Sequence, residues 1–259
     1  MSQVGVGPVT GARGIGQASH AIILDNRQVF NNVKRGMERV IVEYTGLPGF
    51  QGLAGVQLDT QLVVQLIPPY PQAVAQAVSE LYALGVRNVI LVGRGFRLRR
   101  NIEQGSVAAI AAAIPLDSTT RHLVPEGLPL LPDPWVYNAA REVIEVRFSD
   151  LNLYRGYSVS VDHPLLSWIR DSLEGYAGVS DIVSVDPYSG PLYGLRYRYP
   201  RLRPLALLSL HRVIPPSLSP LESSVEVLSR TEEAESKTLA LLYMAGVEIL
   251  RHMEESRVG

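Results

Sequence analysis

The chain has 259 residues, of which 46% are hydrophobic and 19% charged, with a formal net charge of -1. These fractions exclude a disordered or coiled-coil chain, and the balanced charge gives no reason to expect nucleic acid or an anionic membrane as the main partner. The lack of cysteine rules out disulfides, thiolate metal sites and a cysteine nucleophile, and suits the cytoplasm.

Residues 1–19 are rich in glycine and read as a mobile lead-in. They contain no run that would serve as a signal peptide or membrane anchor. Short runs of Val, Ile and Leu at His20 to Leu24, Arg39 to Val42, Leu53 to Leu58 and Leu62 to Ile67 then read as strands. Pro71 opens a helix to Leu84, with Val74, Ala77, Val78 and Leu81 on one face and Gly85 as the stop. Asn88 to Val92 is a near-continuous apolar strand, as expected where helices cover both faces of a sheet. Ser106 to Ile114, rich in alanine, predicts a closely packed barrel or sheet wall.

After a proline-rich loop from Pro125 to Pro134, Trp135 to Val146 is helical, with Val136, Ala140 and Val143 inward. Tyr157 to Val161 is a strand and Pro164 to Leu173 a helix with proline in its first turn. Strands follow at Asp181 to Val185 and Leu205 to Leu210, then a proline-rich connector from Ile214 to Pro220. The last helix spans about Thr231 to Met253; Glu232 and Glu233 at its start and Arg251 and His252 at its end complement its dipole. There is no internal repeat. The alternation predicts one α/β domain over residues 1–259, with a mixed, mainly parallel central sheet flanked by helices.

No Walker A loop, H-E-x-x-H, G-x-S-x-G or cysteine cluster is present, and the five histidines are scattered, so no metal site is expected. Gly93-Arg94-Gly95 follows a strong strand, where a glycine turn brings backbone N–H groups to an anion or simply makes a tight turn. The nearby Arg97, Arg99 and Arg100 read as a phosphate contact or a solvated surface run. Asp162-His163 lies at a strand's C-terminal end, where ligands bind in open α/β sheets; the pair suits proton transfer, or Asp162 caps the helix that begins at Pro164. His211-Arg212 is placed in the same way.

From Leu84 to Asp133, the stretches LGVRNVILVGRGFRL and IEQGSVAAIAAAIPLDSTTRHLVPEGLPLLPD resemble the nucleoside phosphorylase family, most closely its uridine phosphorylase branch. The likeness lies in spacing, strand pattern and the R-x-x-x-P-E-x-x-P loop at Arg121 to Pro129, with weaker similarity from about His20 to Glu254. The resemblance implies the family fold and reversible phosphorolysis of a ribonucleoside. It also implies phosphate as co-substrate if the chain is active, no other cofactor, and an oligomer built from dimers.

The expected site positions depart from the family pattern. Its G-D-P-x-R is matched by Leu24-Asp25-Asn26-Arg27-Gln28, so the phosphate arginine becomes Gln28, with Arg27 beside it. Its R-V-G-T becomes Leu91-Val92-Gly93-Arg94, and its glycine-rich anion loop becomes Ile67-Pro68-Pro69-Tyr70-Pro71-Gln72, whose prolines have no N–H to offer. The ribose-binding E-M-E becomes Asp186-Pro187-Tyr188, the S-D pair becomes His211-Arg212, and S-x-D-x-F becomes Ser160-Val161-Asp162-His163-Pro164.

A core needs only apolar patterning, whereas an active site needs particular atoms. The expectation is therefore a protein of this fold with lost or altered catalysis, acting as a non-catalytic subunit or as a binder of a nucleoside or anion. Its candidate pocket comprises Arg27, Gly93, Arg94, Gly95, Asp162, His163, Asp186, Tyr188 and Arg212. The rivals are an active phosphorylase with arginines rewired around phosphate and, third, a nucleosidase using water. A homo-oligomer is the default partner state, and a mixed oligomer with an active relative is the alternative.

Overall fold

The computed structural model describes residues 9–12, 15, 18–98, 101–163, 173, 176, 179, 181–213 and 225–258; for 212, 213, 225–231, 257 and 258 only the backbone is described. The strands are β1 (His20–Leu24), β2 (Arg39–Thr45), β3 (Gln51–Gln57), β4 (Thr60–Leu66), β5 (Asn88–Arg97), β6 (Ser106–Pro115), β7 (Leu153–Ser160), β8 (Ile182–Asp186) and β9 (Arg203–Val213). The helices are α1 (Arg27–Gly36), α2 (Pro71–Ala83), α3 (Ser118–Leu123), α4 (Pro134–Arg147), α5 (Ser189–Arg198) and α6 (Val225–Val258).

All nine strands form one mixed sheet in the order β2-β3-β4-β1-β5-β8-β7-β6-β9, and β5 also pairs with β9. That extra pairing closes β5, β9, β6, β7 and β8 into a ring, from which β1, β4, β3 and β2 extend as an open wing. The strand β5 serves both parts. Asn88–Val92 lie between β1 and β9, while Phe96 and Arg97 reach β8.

Successive strand residues face opposite sides. Ala21, Ile23, Val89 and Leu91 join one core with Val74, Ala77, Val78 and Leu81 of α2 and Leu192, Tyr193 and Leu195 of α5. Ile22, Leu24, Ile90 and Val92 join the other core with Val29, Phe30 and Val33 of α1, with α4, and with Leu239, Leu242 and Ile249 of α6. Each fully buried Val or Leu contributes roughly 1.5–3 kcal/mol. These two cores are why β1 and β5 are apolar at every position from Ala21 to Leu24 and from Val89 to Val92. His20, at the start of β1, ties the sheet to the end of α6. Its Nε2 is 2.6 Å from Glu254 Oε1, and its Nδ1 is 3.0 Å from Asn88 Nδ2.

Helices α1, α3 and α5 are additions to the sequence expectation, and α6 begins before Glu232 and Glu233, which lie within it. The helix expected over 164–173 and the connector over 214–220 lie outside the described residues apart from Leu173, as do Arg99 and Arg100. In the lead-in, Thr10, Ala12, Ile15 and Ala18 are buried. Glu80 of α2 accepts hydrogen bonds from the backbone N–H groups of Val9 (2.7 Å) and Thr10 (2.9 Å) and from the Thr10 hydroxyl. These described residues are packed, which corrects the expectation of a lead-in that is mobile throughout.

Burial disfavours the charged form of Glu80, but the bonds from Thr10, Gln76 and Val9 outweigh it and hold its carboxyl below the usual glutamate range. A depressed carboxylate contributes stability above its unfolded pKa, and that contribution is lost as pH falls through the folded value. The Val9 and Thr10 amides are therefore expected to lose protection against solvent exchange, relative to the intrinsic rate at each pH, as pH falls below the ordinary glutamate range. Glu80→Gln should show faster exchange already at neutral pH, as measured by amide hydrogen exchange.

Candidate functional site

Residue Asp25 follows β1 directly, and Gly93-Arg94 lies at the corresponding level of β5, because Leu24 pairs with Val92. Tyr188 follows β8 and begins α5. These three segments meet at one point. Asp25 Oδ2 accepts hydrogen bonds from the Tyr188 hydroxyl (2.5 Å), Arg94 Nε (3.0 Å) and the Arg94 backbone N–H (3.1 Å). Arg94 Nη2 also donates to the Asp25 carbonyl (3.3 Å). The side chain of Asp25 is 1% exposed and that of Arg94 26%. Asp25 Oδ1 is buried with no hydrogen-bond partner among the described residues.

The Tyr188 ring lies over Gly93. A Cβ at Gly93 would stand 3.0 Å from Tyr188 Cε2 and 3.1 Å from Leu91 Cδ2, so glycine is what admits the ring. Burial, then the Asp25 carboxylate, pushes the Tyr188 hydroxyl far above its usual range, so it remains a donor. Asp25 holds the Arg94 guanidinium firmly charged, and Glu235 of α6 adds to the effect. The positive charge of Arg94 is thus already matched by carboxylates of its own chain. Leu91, at the position of an expected phosphate arginine, is 1% exposed and part of the core.

Asp186 sits just behind this junction and is fully buried. It accepts hydrogen bonds from the backbone N–H groups of Tyr188 and Ser189, both 2.6 Å, from the Ser189 hydroxyl (2.8 Å) and from the Ser158 hydroxyl. Burial pushes its carboxyl upward, against these bonds. It fixes the turn that aims Tyr188 and has no surface to offer a ligand.

The other expected site residues are dispersed. Arg27 is exposed on α1. Gly95 is buried, its α-carbon facing Leu208 and Leu210 of β9. Asp162 is half-buried and His163 exposed. Asp162 accepts from the backbone N–H of Ser118 (3.2 and 3.1 Å) and the Ser118 hydroxyl (2.9 Å), so it supports the first turn of α3. Capping is thus its role here, on a helix other than the one that begins at Pro164. Arg212 lies in β9, its Cα paired with Phe96, and its side chain lies outside the described residues. His211 is buried, with Nε2 2.9 Å from Thr238 Oγ1. The residue that organises the junction, Asp25, is absent from the sequence-derived pocket, although its place immediately after a buried strand is the signal for it.

The wing-and-ring sheet with helices on both faces is the fold of the nucleoside phosphorylases. Uridine phosphorylase from Vibrio fischeri superposes with a TM-score of 0.82 at 15% identity, covering 97% of this chain and 100% of that one. Its complex with 6-hydroxy-1-naphthoic acid gives 0.76 at 16% identity, with coverage of 91% and 92%. Purine nucleoside phosphorylase from Toxoplasma gondii, in complex with immucillin-H, gives 0.73 at 20% identity, with coverage of 97% and 99%. No protein-family model and no curated protein matches the chain. The structural likeness therefore extends to the fold, which the uridine and purine enzymes share. Among the described residues, no group of three or more His, Cys, Asp or Glu side chains is placed to hold a metal ion, and no helix is long and apolar enough to cross a membrane.

Proposed function

We propose that this chain is a nucleoside-phosphorylase-fold protein that does not carry out phosphorolysis, and that it acts as a non-catalytic subunit or binder in the cytoplasm. The observation that carries this reading is the Asp25–Arg94–Tyr188 junction. Transition-state stabilisation requires preorganised groups whose hydrogen bonds are left for the reacting atoms. Here the Tyr188 hydroxyl and the inner edge of Arg94 are both committed to Asp25. By the family resemblance, Tyr188 stands where an acid that accepts ribose hydroxyls is expected, and Leu91 and Gln28 stand where phosphate arginines are expected. Losing one charged contact in a dry site costs about 2.7–4 kcal/mol in the transition state, and two are missing.

The test is base release from uridine, inosine and adenosine, with and without phosphate. No release above the uncatalysed rate is expected in either condition. Phosphate-dependent release abolished by Arg94→Ala would overturn the reading in favour of a rewired phosphorylase. Phosphate-independent release would overturn it in favour of a nucleosidase.

A further inference from the structure

Helix α5 leaves the junction at Tyr188 and ends at Arg198, near the opposite end of the strands, where the Arg203 N–H of β9 donates to the Arg87 carbonyl (2.8 Å) just before β5. Its last turns and the loop after α3 form the two walls of a groove of about 340 Å³, lined by Pro129, Leu131, Tyr193, Arg196, Tyr197 and Pro200. Tyr193, Arg196 and Tyr197 are spaced to share one helix face. The loop wall is fixed along its backbone. The Pro129 carbonyl accepts from the Tyr197 hydroxyl (2.6 Å), and that of Leu130 from the Ala113 N–H (2.8 Å). Those of Leu131 (3.2 Å) and Pro132 (2.6 Å) accept from Arg196 Nη1. A wall held in this way loses little freedom when a partner binds.

The groove is apolar where it meets solvent. Leu131 and Tyr197 are 45% and 46% exposed, and Leu128, on the same loop, is 37% exposed. Single exposed leucines are ordinary, but large apolar side chains gathered along one rigid groove mark an interaction surface. Tyrosine and arginine, which supply much of the lining, are enriched at binding hot spots. The rim is cationic: residues 189–203 contain Arg196, Arg198, Arg201 and Arg203 and no acid. Arg196 is matched by Asp133 Oδ2 (3.3 Å), and Arg203 lies 4.6 Å from the centre of the Trp135 ring. Arg198 and Arg201 are exposed, with no carboxylate at ion-pair distance among the described residues. On the loop side, the exposed Glu126 is offset by Arg121 of α3. The complement of such a surface is an apolar group flanked by carboxylates. A nucleobase would need polar partners along its edge, whereas the carbonyls of the loop wall are already bonded.

We infer that this groove docks an extended acidic segment of a partner protein, with a large apolar side chain seated between Leu131 and Tyr197 and carboxylates against Arg198 and Arg201. The groove lies at the far end of α5 from the junction, so the inference does not depend on the proposed loss of catalysis. Fluorescence anisotropy on the full chain tests it, with labelled short peptides in which Leu, Phe or Trp sits among Asp and Glu. Controls are the same peptides with Asn and Gln in place of the acids, and an oligouridylate. The acidic peptides are expected to bind at least about tenfold more tightly than the neutral ones. Leu131→Asp and, separately, Arg198→Glu with Arg201→Glu should each weaken that binding at least about tenfold, with far-UV circular dichroism unchanged. Val146→Asp, exposed at the other end of α4, should leave it as it is. No binding of the acidic peptides at millimolar concentration, equal binding of the neutral ones, indifference to the groove substitutions or a preference for oligouridylate would each overturn the inference. So would a loss of self-association in Leu131→Asp by sedimentation velocity, which would give the groove to a second copy instead.

Discussion

Asp25→Ala is expected to lower the unfolding free energy by about 3–4 kcal/mol, measured by urea denaturation at neutral pH. The substitution removes one small side chain but strands three donors at once: the Tyr188 hydroxyl, Arg94 Nε and the Arg94 backbone N–H. Removing one partner of a buried ion pair costs more than the pair itself contributes, because the remaining charge has lost its compensation. The outer part of Arg94 reaches solvent, which places the effect at the lower end of the range for such pairs. Asp25→Asn keeps an acceptor for Tyr188 and loses only the charge, so about 1–2 kcal/mol is expected. A loss below about 1 kcal/mol for the alanine variant would mean that Arg94 and Tyr188 do not depend on Asp25.

A loss of similar size is expected for Asp186→Ala, but not for Asp186→Asn. The alanine variant leaves two backbone N–H groups and the Ser189 hydroxyl without their acceptor in a fully buried place, while the Ser158 hydroxyl keeps the Ser184 carbonyl, for about 3–5 kcal/mol in total. Asparagine retains the acceptor for the Tyr188 and Ser189 amides, and its Nδ2 donates to hydroxyls that can rotate to accept. The pH dependence separates the charge from the hydrogen bonds. Burial raises the folded-state pKa of Asp186 above the ordinary aspartate range. A raised carboxyl gives its full contribution below the unfolded pKa and loses it as pH rises through the folded one. Asp117 is pushed in the same direction, also by burial. Relative to wild type, Asp186→Asn should therefore gain stability as pH increases from about 4, with urea midpoints at several pH values as the readout. A difference that is flat with pH would show that Asp186 carries no raised pKa.

Strands were legible because their burial is periodic and local: the apolar runs starting at His20, Asn88 and Leu205 needed no knowledge of their partners. The helices that escaped notice have sequence reasons. In α1, three buried residues sit among Arg, Asn, Gln and Lys, too few to declare a face. In α5, Gly190, Pro191 and Gly194 resemble a turn, yet Pro191 lies in the first turn, where its missing N–H does no harm. In α6 the apolar residues Leu239, Leu242 and Ile249 are all buried in the protein's own core. The junction was half legible. Tyr188 and Arg94 stood out against the family pattern, but the bond joining Tyr188 to Asp25 spans 163 residues, and no local rule predicts a contact at that separation.

The closed ring has a kinetic consequence. Its seam is the pairing of Asn88–Arg97 with Arg203–Val213, so the chain must bring together segments more than a hundred residues apart before the barrel exists. The three strands between them, β6, β7 and β8, cannot complete a circuit until that seam forms. Loop closure of this kind carries an entropic cost before any contact compensates it, and proteins rich in distant pairings refold on the slow side of the range. The open wing is different: β2, β3 and β4 are consecutive and joined by short turns, so they can pair early. A refolding chain should therefore acquire its wing first and its barrel last, leaving the strand-end junction, which needs both, among the final features to appear.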